Sequence, residues 1–260
     1  MEPAQLFAQL VHQKVNNILL KKGERIDDLE LDGLKIIQRV GGYKFSTDSV
    51  LLSNFGKARS LDKYVDLCSG SGVVAILFSY KNKLKKAYAV EIQENMADMA
   101  KRSIKLNRLD DKIEVVCADI KDGTKLFGHE TIDVITVNPP YNKVGEISEE
   151  EEIAIATHEV KLKLDELISV SSKLLKFGGK LFIVYRADRI TELICELAKN
   201  NLEPKVIEFV YPNSKKEANL VLIEAKKGAK SGVKILKPLV ICNDDGTMTK
   251  EVQKIYGKIK

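Results

Sequence analysis

Between residues 64 and 200 the chain alternates short apolar runs with helical patterns, and that rhythm leaves few folds open. Strands separated by helices align in parallel, with the helices covering both faces of the sheet. The spacing predicts strands at Tyr64–Cys68, Ala87–Glu91, Lys112–Cys117, Ile132–Val137 and Leu181–Tyr185. Helices are expected near 73–80, 93–107, 162–176 and 188–200, the third closing at Gly178-Gly179. After Pro204 the rhythm changes. Val206–Tyr211 and Leu220–Ala225 are joined by a link too short for a crossover helix, so they pair antiparallel at the sheet edge.

The flanks read as additions to this domain. Residues 1–22 place Phe7, Val11, Val15, Ile18 and Leu19 on one helical face, an extension packed on the rest. Residues 23–60 form a cap region with a strand at Leu34–Gln38. Within it, Ser46-Thr47-Asp48 offers N-cap side chains to a helix ending at Phe55. Residues 61–230 hold the main domain. Residues 231–260 add a hairpin around Asp244-Asp245-Gly246 and a last helix near 249–256.

Composition removes several classes of function. The 260 residues suit one large domain, and 44% apolar with 30% charged residues describes an ordinary globular chain. No apolar run of about 18 residues exists, so no membrane span is expected, and no secretory signal is visible. Cys68, Cys117, Cys195 and Cys242 lie far apart with no C-x-x-C pair. That excludes a thiolate metal site and a disulfide framework, and predicts mostly buried free thiols in a reducing cytoplasm. The net charge is +5, with lysines grouped at 81–86, 215–216, 226–237 and 250–260. Such groups either solubilise the surface or attract a polyanion such as RNA.

The chemistry begins at Val65-Asp66-Leu67-Cys68-Ser69-Gly70-Ser71-Gly72-Val73-Val74, a buried strand, a glycine turn and a helix start. Such a turn exposes backbone N–H groups to a ligand beyond the carboxyl end of the strand. Four consecutive strands end in polar groups: Asp66 with Gly70 and Gly72, then Glu91, Asp119 and Asn138. Gly70-x-Gly72-x-x-Ala75, with Glu91 about 20 residues on, also fits a nicotinamide fingerprint. Against that reading, Asp66 stands where a pyrophosphate would sit, and no group suited to hydride chemistry is evident. S-adenosylmethionine fits better. Its ribose diol suits Glu91, its adenine the Asp119 region and its ammonium the neighbourhood of Asp66, and it carries no phosphate. Cys68, Ile92 and Ile120 beside these tips, and Thr47 at the upstream helix, complete the candidate cofactor set.

Asn138-Pro139-Pro140-Tyr141 follows the fourth strand. Its prolines remove two N–H donors, so the backbone offers carbonyls, and Asn138 adds a side-chain acceptor. This is a stiff cradle for a planar NH2 group, with Tyr141 able to stack on its flat face. His158 more simply caps the next helix, and Glu146–Glu152 forms an acidic stretch of the covering loop.

The nucleotide half of this pattern resembles a class I methyltransferase. The resemblance implies a Rossmann-like sheet of seven strands, mostly parallel, with the last antiparallel and helices on both faces. Over about Glu24 to Tyr256 the chain is similar to the bacterial tRNA(Val) adenine-37 N6-methyltransferase family. The shared features are Arg25-x-Asp27-Asp28-Leu29, the run Gly42–Leu52, Asp66-x-Cys68-x-Gly70-x-Gly72, Asn138–Tyr141, His158-Glu159, Pro238-Leu239, Asp245-Gly246 and Ile255-Tyr256. Asn142 departs from the family, where an aromatic often follows the motif. The resemblance implies a monomeric cytoplasmic enzyme acting on tRNA with S-adenosylmethionine, without a metal or membrane. Methylation of guanine N2 in ribosomal RNA or of a glutamine amide uses a similar cradle and stays open. So does RNA binding without catalysis.

Overall fold

The computed structural model describes residues 20–41, 46–139 and 162–259. The expected helix within 1–22, Pro140, Tyr141, Asn142, the acidic stretch and His158-Glu159 therefore lie outside the described residues.

The main sheet has nine strands. Its centre is parallel: β5 (Ile113–Cys117), β4 (Ala87–Glu91), β3 (Tyr64–Leu67), β6 (Ile132–Val137) and β7 (Leu175–Arg186) lie side by side in that order. Beyond β7, strand β9 (Leu220–Lys227) runs antiparallel to it and to β8 (Leu202–Asn213). The later of the two strands is thus inserted between β7 and β8. The seven-strand frame is present, and two short strands extend it. β10 (Lys234–Ile235) and β11 (Leu239–Cys242) both pair with the outer side of β8. They have two and four residues.

Two hydrophobic clusters cover the two faces, and the strands alternate between them. In β7, Phe182 and Val184 join one cluster while Ile183 and Tyr185 join the other. Leu220 and Leu222 of β9 likewise oppose Val221 and Ile223. Side chains of successive strand residues point to opposite faces, so a run apolar at every position must be buried on both sides. Helices α1 (Thr47–Phe55) and α2 (Val73–Lys81) pack on the first face, where Tyr64 and Phe78 stack with centroids 4.5 Å apart. Helices α5 (Leu164–Leu174) and α6 (Ile190–Lys199) cover the second. Helices α3 (Glu94–Leu106) and α4 (Gly123–Phe127) and the terminal α7 (Lys250–Ile255) complete the set.

An antiparallel hairpin, β1 (Glu24–Asp28) with β2 (Lys35–Arg39), packs against α3. Ser103 Oγ accepts the Ile37 N–H at 3.0 Å, and Asn107 exchanges two hydrogen bonds with the Lys35 backbone. Arg102 spans Glu24 and Asp98, each at 2.7 Å. The free side of β2 thus finds partners in side chains from α3, as an exposed strand edge requires.

Three local expectations need correction. Helix α5 stops at Leu174, and Gly178-Gly179 lies within β7, where the register to β6 shifts between Ile132 and Val134. A Cβ on Gly179 would sit 2.9 Å from the Lys176 carbonyl, so the pair serves a crowded strand rather than a helix stop. Second, Ser46 occupies the N-cap position of α1 but makes no side-chain capping bond. Third, none of the four thiols is fully buried: Cys68 and Cys242 are half-buried, and Cys117 and Cys195 are exposed. Cys117 ends the edge strand β5, and Cys195 lies on α6 away from the buried Leu193 and Leu197.

Candidate active site at the strand tips

Register fixes the layout of the site. Leu67 of β3 pairs with Val90 of β4 and with Val137 of β6. Glu91 and Asn138 each come one residue later, so they flank the turn that leaves β3. They stand on the same edge of the sheet, about 10 Å apart by two inter-strand spacings. Glu91 pairs with Cys117, which brings Asp119 to the next tip along.

Glu91 is 5% exposed and holds two backbone segments. Its Oε2 accepts the Gly70 N–H at 2.8 Å and its Oε1 accepts the Gln93 N–H at 2.9 Å. Burial raises its pKa, and these backbone donors pull it partly back. Each oxygen keeps a further lone pair for another donor. The turn itself uses three alternate positions with positive φ, at Cys68 (φ 57°), Gly70 (φ 54°) and Gly72 (φ 91°). Cys68 is a thiol held at a strand tip. Burial and the charges of Glu91, Asp66 and Asp119 push its pKa well up, so it does not act as a thiolate.

Asp66 lies deeper than the sequence suggests, at 1% exposure. Its Oδ1 accepts from Thr136 Oγ at 2.6 Å, and the Thr136 hydroxyl also shares a 2.6 Å hydrogen bond with the Tyr64 hydroxyl. Burial pushes the Asp66 carboxyl up to about 8, with the Thr136 hydrogen bond opposing the shift. Asp66 Oδ2, Ser69 Oγ and Ser46 Oγ are buried and have no hydrogen-bond partner among the described residues. Buried polar atoms are normally paired. Two of them, Asp66 Oδ2 and Ser69 Oγ, belong to the strand and turn themselves and mark a place where a polar ligand would find partners.

Asp119 is half-buried, and its Oδ1 accepts the Lys121 N–H at 2.9 Å. Ile120 beside it is buried at 6% exposure, whereas Ile92 past Glu91 is 39% exposed. Two apolar side chains next to two carboxylates suit a flat base carried on a sugar. Asn138 is half-buried, and its Nδ2 donates to Ser49 Oγ at 3.1 Å. Pro139 follows it, buried. Thr47 opens α1 beside Tyr256, the C-cap residue of α7. The C-terminal helix therefore meets the wall of the site.

The tips thus bring together Glu91, Asp119, Asn138 and the Cys68–Gly72 turn, while Asp66 supports the turn from below. Sequence reasoning missed Ser49, Thr136 and Tyr256 as site supports. The signal for the first two was a polar residue within a buried run: Ser49 is 8% exposed on α1, and Thr136 is fully buried between Ile135 and Val137. Of the lysine groups, 215–216 lies in the β8–β9 connection, on the edge of the site, and 250–258 spans α7 and the residues just past it, where Lys81 Nζ donates to the Ile255 carbonyl at 3.4 Å. Groups 81–86 and 226–227 lie at the opposite edge, where β4 begins and β9 ends. Among the described residues no cluster of three metal-ligating side chains occurs, and no helix is long and apolar enough to cross a membrane.

This sheet order, with a glycine turn between a buried glutamate and an Asn-Pro tip, defines an S-adenosylmethionine-dependent methyltransferase. A family model described as the methyltransferase small domain matches residues 46–203, and the chain belongs to that family. Among curated relatives, the tRNA1(Val) (adenine(37)-N6)-methyltransferase of Porphyromonas gingivalis is 27% identical over 201 residues, covering 75% of this chain and 77% of the relative. The protein of the same name from Aeromonas hydrophila is 25% identical over 186 residues, covering 71% and 77%. Among solved structures, a predicted O-methyltransferase from Agrobacterium tumefaciens superposes with a TM-score of 0.66 at 20% identity, covering 81% of this chain and 96% of that one. Methanocaldococcus jannaschii TYW2, solved with AdoMet, gives 0.54 at 17% identity, covering 80% and 87%.

Proposed function

We propose that this chain transfers the methyl group of S-adenosylmethionine to the exocyclic N6 amine of adenine in tRNA, at the adenine beside the anticodon. The observation that carries the reading is the placement of Asn138 on the same sheet edge as Glu91, with the glycine turn between them. Glu91 accepts from the ribose diol, Asp119 with Ile92 and Ile120 lodges the adenine, and the polar atoms around the Cys68–Gly72 turn face the methionine end. Asp66 carries a negative charge to the cofactor's ammonium once that cation displaces its proton.

On the acceptor side, the Asn138 carbonyl and the Pro139 carbonyl take the two N–H bonds of the target amine. An aryl amine is a weak nucleophile because its lone pair is delocalised into the ring. Two acceptors in a fixed plane favour a pyramidal nitrogen and aim the pair at the methyl carbon. The new N–C bond forms as the C–S bond breaks, its electrons pass to sulfur as a neutral thioether, and the surplus N–H proton leaves to solvent. Pro140 stiffens the cradle and Tyr141 stacks on the base. An anticodon-loop adenine is partly unstacked, so turning it out costs less than in a duplex.

The test incubates the protein with methyl-labelled cofactor and, separately, with bulk tRNA, ribosomal RNA and a release factor. Nucleoside mass spectrometry then reads the product. N6-methyladenosine in tRNA is expected. Methylguanosine in ribosomal RNA or label in the protein would overturn the reading in favour of another amine.

A further inference from the structure

A primary amide has an acceptor end and a donor end, and only the acceptor end serves a target amine. Nothing in the Asn-Pro-Pro-Tyr sequence decides how that amide is held. In the structure Asn138 Nδ2 donates to Ser49 Oγ at 3.1 Å, and no described residue donates to Asn138 Oδ1. Ser49 is 8% exposed and is itself anchored. Its N–H donates to the Ser46 carbonyl at 3.2 Å, and its helix packs against the terminal helix α7. The serine therefore sits on a helix fixed at its own start, with its hydroxyl on the nitrogen end of the amide.

We propose that Ser49 is a positioning residue for methyl transfer: its hydroxyl holds the Asn138 amide plane and leaves the carbonyl oxygen free for the acceptor amine. This assignment rests on the amine-methylation reading above. It predicts a separation between binding and chemistry, because Ser49 acts through the Asn138 amide. Without the hydroxyl the amide rotates about χ2 and presents its NH2 end part of the time, where it repels an incoming amine.

The experiment compares Ser49→Ala and Ser49→Thr with wild type. In Ser49→Ala, single-turnover methyl transfer at saturating cofactor and RNA is expected to fall about tenfold or more, the order seen when a reacting group is misplaced. Cofactor affinity by calorimetry should stay within about twofold, a change under 0.5 kcal/mol. Ser49→Thr, which keeps the hydroxyl, should recover most of the rate. Independently of activity, the side-chain NH2 resonances of Asn138, assigned by their loss in Asn138→Asp, should shift in Ser49→Ala and exchange faster with solvent. An unchanged rate with unchanged amide signals overturns the proposal. So does a rate loss matched by equal losses of cofactor affinity and melting temperature, which would make Ser49 a packing residue only. If wild type methylates no exocyclic amine, the functional reading fails, and the Asn138 resonances still decide whether Ser49 holds the amide.

Discussion

The Gly70 N–H donates to Glu91 Oε2 at 2.8 Å, tying the turn after β3 to the tip of β4. The other carboxylate oxygen takes Gln93, so one side chain sets the shape of two backbone segments and still has lone pairs for a ligand. Hydrogen bonds to a charged group are worth about 1.5–3 kcal/mol each. Glu91→Ala should therefore weaken cofactor binding by about 100-fold, read by calorimetry, and lower the melting temperature as well. Unchanged affinity would remove the ribose from Glu91.

Asn138→Ala separates the two halves of the site. Cofactor affinity should remain, while methyl transfer falls by about 100- to 1,000-fold, the usual loss for one preorganised electrostatic partner. Transfer at the wild-type rate would end the cradle mechanism.

The two glycines of the turn should respond differently to alanine. Gly70 has φ +54°, within reach of ordinary residues, and an added Cβ would meet only Met96 Cε at 3.6 Å. Gly72 has φ +91°, and its Cβ would lie 3.3 Å from Ala100 Cβ. Gly70→Ala is expected to cost about 1 kcal/mol and Gly72→Ala about 2–3 kcal/mol in chemical denaturation. The reverse order would mean that the turn is built differently.

Asp66 gives the stability a pH signature. Its folded pKa of about 8 lies above the ordinary 3.8, because burial disfavours the charged carboxylate. Between these values the folded chain keeps a proton that the unfolded chain has released, so rising pH favours unfolding. The contribution is full below about pH 4 and is lost as pH climbs through about 8. Asp66→Asn, which still accepts from Thr136, should melt progressively higher relative to wild type from pH 5 to 8.5, by scanning calorimetry in the absence of cofactor. A constant difference across that range would show that the carboxyl is ionised in the fold.

Lysines on the site edge give RNA binding a salt signature. Lys215 and Lys216 lie in the β8–β9 connection, at the edge where the parallel strands end, whereas Lys83 and Lys85 lie just before β4 begins. Each phosphate neutralised steepens the fall of log affinity with log salt by about 0.7–0.9. Lys215→Ala with Lys216→Ala should flatten that slope by one to two such steps, read by fluorescence anisotropy on tRNA. The same change at Lys83 and Lys85 should leave it intact. A slope insensitive to both pairs would count against phosphate contacts at this edge.

Much of the frame was legible because the strands are apolar on both faces and end in polar residues. Ala87–Glu91 and Ile132–Val137 matched to the residue for that reason. The order of the tips followed from the fold class, so Glu91, Asp119 and Asn138 fell into one row. What stayed hidden depends on distant partners. Ser49 meets Asn138 only after α1 packs on the sheet over β7 and β9, and Thr47 comes beside Tyr256 only once the last helix docks. Asp66 looked like a ligand group, yet its depth below the turn is set by α2 covering it. Gly178-Gly179 looked like a helix stop because a kinked strand and a helix end use the same residue.

The insertion of β9 between β7 and β8 has a consequence for biogenesis. All three partners of β8, namely β9, β10 and β11, lie later in the chain than β8 itself. During synthesis this twelve-residue strand emerges before any of its native partners, and the outer edge of β7 also stays open until β9 arrives. For that interval its backbone groups stand open to strands of other molecules. The nascent enzyme is therefore most vulnerable to aggregation just before its antiparallel strand leaves the ribosome.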